Sequence, residues 1–372
     1  MKKISTNVLT FAQGNMDLFE GFADFWNHHR AKKMGKTNLE YNTEFSLDEK
    51  EKKLNETLKK YIVKRSGVSY ATEENLETWF YHPLVIHETF AIVSALIDFI
   101  LPETIIDSIG AYTDVRVGGW GDSFAFDVAP RDLFVVSKSG KAQRQSEIHK
   151  QFRGQVTIIP EFHQVTVGVA LYRVLAGKES LAEFVAKAVL SVETQMTLDA
   201  YNAFATAMAA VDSTATTGLL VAGYTQSDLV RLAEQVTVWN NGAKAIVMGT
   251  ALALQNVLPD DANYRYFLND PYVTLGYIQT MSGYDIMRLP QVADWSTPFG
   301  RILSDTTLWV VSPGAQKILK LCMEGNTIST TNQPFDNANL TQNTTLTKAW
   351  AVGVATNAVA GEMTLYDKIY PN

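Results

Sequence analysis

From Ser180 to Met208 the chain carries one apolar face without a break. Leu181, Phe184, Val185, Ala188, Val189, Val192 and Met196 recur at helical spacing, and Leu198, Tyr201, Phe204 and Met208 continue the row. Ser180 with Glu183 fits a capping box at the start. Roughly 30 residues at about 1.5 Å each reach about 45 Å, the length of a whole lobe. The pattern therefore predicts a strut around which the remaining elements must be arranged. Just before it, Val165, Val167, Val169 and Leu171 alternate with Thr166, Gly168, Ala170 and Tyr172, which predicts a half-buried strand, and Gly177 turns the chain between the two.

The region ahead of this core reads as helical. Leu47, Leu54, Leu58 and Ile62 form a narrow apolar stripe among Lys and Glu, with Ser46 and Glu49 as a second capping box. A further helix is expected from about Glu73 to Ile100, stopping before Pro102. Its most apolar part, Leu84 to Leu101, carries His87, Glu88 and Asp98. Charges inside a bilayer cost several kcal/mol each, so this stretch is expected to be a buried helix of a soluble protein, with no membrane partner. Met1-Lys2-Lys3 has no apolar run behind it, and no secretion signal is predicted.

After Gly118-Gly119-Trp120-Gly121 the pattern turns to strands: Phe124, Phe126 and Val128, then Leu133–Ser137 and Gln155–Ile159, with a polar, basic segment between the last two. This predicts a long, thin hairpin, which in isolation is marginally stable and needs something to lie against. Beyond Gly218 helix and strand alternate. Thr225 or Ser227 caps a helix through Trp239, Ala245–Met248 is a short buried strand, Thr250–Leu258 a helix, and Tyr284–Leu289 and Thr307–Val311 further strands. Gly314–Met323 reads as helix, Asn326–Thr347 as loop, and Ala349–Thr356 with Met363–Tyr366 as closing strands. The fold class is α+β.

With 372 residues and about 150 per domain, two or three lobes are expected. Hydrophobic residues at 46% and charged ones at 19% exclude a largely disordered chain. A net charge of −7 argues against a protein that grips phosphate backbones. The single cysteine, Cys322, excludes an intramolecular disulfide and a cysteine-cluster metal site. No phosphate loop, nucleophile elbow or dinucleotide fingerprint occurs. His82 and His87 are spaced wrongly for one helical face, and the neighbours His28 and His29 point to different faces, so no metal site is expected. Cys322 reads as a buried packing residue, not a nucleophile. No catalytic residue, cofactor or enzymatic activity is predicted.

Charge is distributed in blocks. Ser66 to Val115 contains no Lys or Arg but eight acids: Glu73, Glu74, Glu77, Glu88, Asp98, Glu103, Asp107 and Asp114. The hairpin segment carries Lys138, Lys141, Arg144, Lys150 and Arg153 against one Glu147. Each block alone is an ordinary solvated face. Together, an acidic surface and a basic arm suggest docking between subunits, with Glu73, Glu74, Glu77, Glu103, Asp107 and Asp114 as acceptors for the basic residues.

The order of these parts resembles the major capsid proteins of tailed bacteriophages, with the Hong Kong 97-type fold. The most family-like stretch is Pro130–Phe204, with Asp132-Leu133-Phe134-Val135-Val136 and Leu175-Ala176-Gly177-Lys178-Glu179-Ser180. Thr225-Gln226-Ser227-Asp228-Leu229, Ala245-Ile246-Val247-Met248-Gly249-Thr250 and Met281-Ser282-Gly283-Tyr284-Asp285-Ile286 resemble parts of its axial domain. The resemblance implies a mostly helical N-terminal arm at 1–117, an extended hairpin called the E-loop at 118–160, and a peripheral domain with a spine helix at 161–217. An axial domain at 218–343 and a return to the peripheral domain at 344–372 complete it. It implies self-assembly through pentamers and hexamers into an icosahedral shell in the virion, assembled in the host cytoplasm. Scaffolding, portal and decoration proteins are the further partners implied, and genome DNA is enclosed without sequence-specific binding. In some relatives an E-loop lysine is joined to a peripheral-domain asparagine; Lys138, Lys141 and Lys150 are the corresponding lysines here, and Asn339 and Asn343 the asparagines. An encapsulin-like compartment shares the fold and encloses protein cargo; a soluble α+β enzyme is the alternative of a different class.

Overall fold

The apolar face that begins at Leu181 belongs to a single helix of 32 residues in the computed structural model. The structure describes residues 16–34, 39–110, 113–128, 153–212, 218–259, 275–289, 291, 293–294, 300–312, 317–331, 342–355 and 358–365. In chain order these form α1 (Met16–Met34), α2 (Leu47–Ser66), a 3-10 turn (Leu76–Trp79), α3 (Pro83–Ile109), β1 (Thr113–Gly118), β2 (Phe124–Val128), β3 (Gly154–Ile158) and β4 (Glu161–Val169). The short α4 (Leu171–Leu175) and the long α5 (Leu181–Asp212) follow. Then come β5 (Leu220–Ala222), α6 (Gln226–Trp239), β6 (Ile246–Gly249), α7 (Ala251–Gln255), β7 (Thr280–Met281) and β8 (Tyr284–Arg288). The chain closes with β9 (Ala293–Asp294), β10 (Gly300–Arg301), β11 (Thr307–Val311), β12 (Leu319–Thr331), β13 (Gln342–Val354) and β14 (Gly361–Thr364). The predicted strand at Leu133–Ser137 lies outside the described residues.

Helices and one sheet build the first core. The sheet runs β1-β12-β13-β4, with β1 parallel to β12 and the other pairs antiparallel. One face carries Leu319, Leu321, Met323, Leu346 and Trp350, which join the buried side chains of α3 and α5. α3 packs on α1, α2, α5 and β12. Its residues Val85, Phe90, Val93, Leu96, Ile97, Leu101 and Ile105 are buried. It is long and apolar enough to cross a membrane by length and composition. Its apolar surface is spent instead on the neighbouring helices and the sheet. Trp26 donates its indole N–H to Thr104 Oγ1 at 3.0 Å, which ties α1 to α3.

A second core forms on one face of another sheet, ordered β5-β14-β11-β6-β8-β7, while Met248, Trp309 and Val311 on its other face join the first core. The buried stripe Leu229, Leu232, Ala233 and Val236 of α6 packs there with Val247, Leu308, Val310 and Met363. Thr225, rather than Ser227, is the N-cap: its Oγ1 accepts from Asp228 N at 3.1 Å.

Several expectations are corrected. The helix expected from Glu73 to Ile100 starts later, at Pro83, where the His82 ring caps it, and it continues through Pro102 to Ile109. A proline removes one backbone donor and crowds the preceding turn. Here buried Phe99, Ile100 and Leu101 before it and Ile105 after it hold the helix on course. Leu319–Met323 is strand, not helix, and the Thr/Asn-rich stretch is no simple loop, since β12 runs to Thr331 and β13 starts at Gln342. Two strands also sit across the expected domain boundaries: β12, within 218–343, belongs to the first sheet, and β14, within 344–372, belongs to the second.

The start of α5 holds a feature that the sequence concealed. Glu183 N donates to Ser180 Oγ at 3.1 Å as the capping box requires. In addition, Asn55 of α2 accepts from Ala182 N at 3.2 Å and donates to Ser180 Oγ at 3.0 Å. α2 thus helps to cap the strut. Phe184 is only half-buried and lines a cleft of about 740 Å³ between α2 and α5, whereas Leu181, Val185, Ala188 and Val189 are buried.

Candidate assembly surface

Alternation along β2 buries Phe124, Phe126 and Val128 and leaves Asp127 exposed. β2 pairs antiparallel with β3, from Phe124 opposite Ile158 to Val128 opposite Gly154. The inner face of this ribbon, Phe124, Phe126 and Ile158, packs on Cys322 and Ala351 of the first sheet, on the face opposite the helices. A side chain at Gly353 would place its Cβ 2.9 Å from Ile158 Cδ1, so the ribbon lies close on the sheet there and a larger residue would make the Ile158 side chain shift. The Arg116 guanidinium lies 4.2 Å above the Phe126 ring while its Nη1 donates to Ala125 O at 2.7 Å. Lys320 lies 5.8 Å from the same ring, and burial lowers its pKa although Asp114 nearby opposes the shift.

The base of the ribbon is fixed as firmly. Asp122 Oδ2 accepts from Gly119 N at 2.6 Å, and Glu324 Oε1 accepts from Gly121 N at 2.6 Å. Trp120 lies over Gly325, where an added Cβ would come within 2.1 Å of the indole, and Gly325 has φ +60°. Only glycine meets both conditions. Trp120 also stacks on Phe162 with ring centres 5.8 Å apart. The ribbon is thus a rigid root whose outer strand, Gly154 to Thr157, is exposed.

Of the basic residues expected on the arm, Lys138, Lys141, Arg144 and Lys150 lie outside the described residues, and Arg153 is exposed just before β3. Asn339 is also outside them, and Asn343 sits in β13 opposite Gly168 of β4. The acidic residues do not form one surface. Glu73, Glu74 and Glu77 are exposed between α2 and α3, and Glu103 is half-buried on α3. Asp107 accepts from buried Arg30 at 3.0 Å, and Asp114 lies 3.6 Å from Arg116 and 3.8 Å from Lys320. Asp107 and Asp114 are therefore engaged within the subunit. Glu88 pairs with Arg65 at 3.0 Å.

Asp98, counted with that block, is not a surface residue at all. It is buried with Lys348, whose Nζ donates to its Oδ1 at 2.7 Å and to Gly325 O at 2.7 Å. Thr327 adds its N–H at 2.7 Å to Oδ2 and its hydroxyl at 2.6 Å to Oδ1. The pair fastens α3 to the β12–β13 irregularity between Glu324 and Ile328. No short sequence motif could have revealed it.

Cys322 is fully buried under the ribbon, and burial pushes its thiol up to about 11. Thiolate is the reactive form. The folded chain is therefore expected to resist a thiol-specific reagent near pH 8 and to react at once in denaturant, with the two rates compared on one sample. Because the native thiol holds its proton more tightly than an unfolded one, the contribution is full below pH 9 and declines between pH 9 and about 11.

His28 stacks on Tyr41 at 4.6 Å and His29 on Trp26 at 5.7 Å. Burial is the main cause that lowers both of their pKa values. Among the described residues no three His, Cys, Asp or Glu side chains are grouped to hold a metal ion.

No protein-family model matches this chain, and no curated protein matches its sequence. Among solved structures it is similar to the capsid of a native GTA particle, at 12% identity over 70% of this chain and 90% of that one, with a TM-score of 0.47. It is similar to the mature capsid of bacteriophage PhiM1 at 10% identity over 70% and 87%, with a TM-score of 0.45. Mycobacterium phage Cain gives 11% identity over 72% and 91%, with a TM-score of 0.42.

Proposed function

We propose that this chain is a major capsid protein of the Hong Kong 97 type, a structural subunit that assembles with copies of itself into an icosahedral shell around a phage double-stranded DNA genome. The observation that carries the reading is the ribbon. Phe124, Phe126 and Ile158 anchor it to the first sheet, its outer strand is exposed, and a basic segment of the sequence lies between its two strands, with Lys138, Lys141, Arg144, Lys150 and Arg153 against one Glu147. A rigid root beneath a basic segment suits an arm that reaches a neighbouring copy. The long α5, which packs on the first sheet and reaches Trp309 of the second through Phe204, with the chain returning to the first sheet through β12 and β13, suits a shell subunit with a spine.

On this reading, residues 1–117 are the N-terminal arm, 118–160 the E-loop, 161–217 the peripheral domain, 218–343 the axial domain and 344–372 the return, with β12 and β14 exchanged across those limits. The subunits form pentamers and hexamers, work by interfaces and not by catalysis, and enclose DNA without reading its sequence. Expression of the full chain, alone or with its scaffold, is expected to give closed shells or ring-shaped capsomers in electron micrographs. A clean monomer at high concentration overturns the proposal, and protein cargo in place of DNA within purified particles points to a compartment instead of a virion.

A further inference from the structure

The link between α2 and α3 lacks long helix yet is tightly braced. Asn75 Oδ1 accepts from Thr72 N at 2.6 Å, Asn75 Nδ2 donates to Tyr70 O at 3.0 Å, and Thr78 donates both N–H and hydroxyl to Asn75 O. Ala71 and Leu76 are buried beneath. This frame leaves the rings of Tyr70 and Tyr81 exposed and Trp79 half-buried between them. Tyr70 is 72% exposed, and its ring stacks 6.3 Å from Trp79, which lies 6.2 Å from Tyr81, itself 45% exposed. Phe80 extends the row to Tyr172 on α4 at 5.9 Å. Glu73, Glu74 and Glu77 are exposed in the same stretch, and no Lys or Arg occurs in the sequence from Ser66 to Val115.

Exposed rings held rigidly beside carboxylates have a definite chemical complement. The face of an aromatic ring is electron-rich and attracts a cation, and a carboxylate beside it supplies hydrogen bonds to the same group. Arginine fits best, because its planar guanidinium stacks on a ring while its edge meets a carboxylate. The segment between the two ribbon strands carries such cations, Lys138, Lys141, Arg144, Lys150 and Arg153, against a single acid, Glu147. We infer that the aromatic–acidic surface of Tyr70, Trp79, Tyr81, Glu73, Glu74 and Glu77 is a docking site for the basic segment 138–153 of a second copy. This rests on the shell reading only in requiring that copies meet. It does not draw on Asp107 and Asp114, which already face Arg30, Arg116 and Lys320 within the subunit.

The test places the photoreactive residue p-benzoylphenylalanine in place of Tyr70 in the full chain, mixes isotopically heavy and light copies, irradiates and maps the products by mass spectrometry. Crosslinks from position 70 to residues 138–153 between heavy and light copies are expected. Losing the Tyr70 and Tyr81 rings (Tyr70→Ala with Tyr81→Ala) is expected to weaken association by about two- to fivefold per ring, as exposed cation–ring contacts do. Arg144→Lys is expected to weaken it less than Arg144→Ala. Products that map elsewhere, or only within one copy, overturn the inference, whether or not shells form. The expected crosslink in a protein that forms no shells upholds this contact and overturns the capsid reading.

Discussion

Replacing Asp98 by alanine is expected to cost about 3–5 kcal/mol of folding stability, because the change strands a buried lysine. In the folded chain Lys348 Nζ has two acceptors, Asp98 Oδ1 and Gly325 O, and Thr327 depends on Asp98 for both of its donors. Both side chains of the ion pair are almost fully buried. Without the carboxylate a buried ammonium group keeps only Gly325 O, beside a Thr327 N–H that has lost its acceptor. Urea denaturation of wild type, Asp98→Ala and the double variant Asp98→Leu with Lys348→Met measures this. The double variant should recover most of the loss, because two well-packed apolar groups leave no charge behind. A loss below about 1 kcal/mol in the single variant, the range of exposed pairs, would mean that water reaches the site.

Phe126→Ala is expected to release the ribbon from the body. Phe126 is fully buried between Cys322 and the cations of Arg116 and Lys320. Truncating a buried Phe costs about 3–5 kcal/mol. A two-stranded ribbon is marginally stable by itself, and Phe126 is the most deeply buried of the side chains that hold its strands to the sheet. The loss should therefore appear as local opening: amides of β2 and β3 should exchange at least about a hundredfold faster, since every 1.4 kcal/mol is about tenfold. Amides of α3 and β12 should change far less. Gln155→Ala, on the exposed strand, serves as the control. If the ribbon amides of Phe126→Ala keep wild-type exchange, something other than this contact secures the ribbon. If the capsid reading holds, the same variant should fail to close shells while remaining a folded subunit.

The acidic block between Ser66 and Val115 shows how far charge counting goes. In the sequence its eight acids are equivalent. In the fold they separate: Asp98 is buried with a residue 250 positions away, Glu88 and Asp107 are paired, Asp114 lies near two cations, and Glu73, Glu74 and Glu77 remain exposed. The basic partners of Asp98, Glu88 and Asp107 come from other elements, so no short window along the chain contains both members; only Asp114 has one of its cations, Arg116, close by in sequence.

The errors at Leu319–Met323 and Pro102 share that origin. Leu319, Leu321 and Met323 face the helices while Lys320 and Cys322 lie against the ribbon, so the stretch alternates as a strand does, and it is the pairing with β1 and β13 that fixes it as one. Pro102 carries a real local penalty. The apolar residues on both sides of it outweigh that penalty once α1, α2 and the sheet surround α3.

By itself the sequence determined what depends on residues a few positions apart: the apolar face and capping serine of α5, the Ser46–Glu49 cap of α2, the alternation of β2 and the stripe of α6. Turn chemistry, capping and periodicity act over one or two helical turns, so they are legible in order along the chain. Tertiary structure alone decided which strands share a sheet, that the ribbon roots on Cys322 and Gly353, that Asn55 caps a helix begun at Leu181, and that Asp98 is interior. These rest on contacts between residues far apart in the chain, where burial reverses the meaning of a charge and of a proline, and burial is a property of the assembled fold.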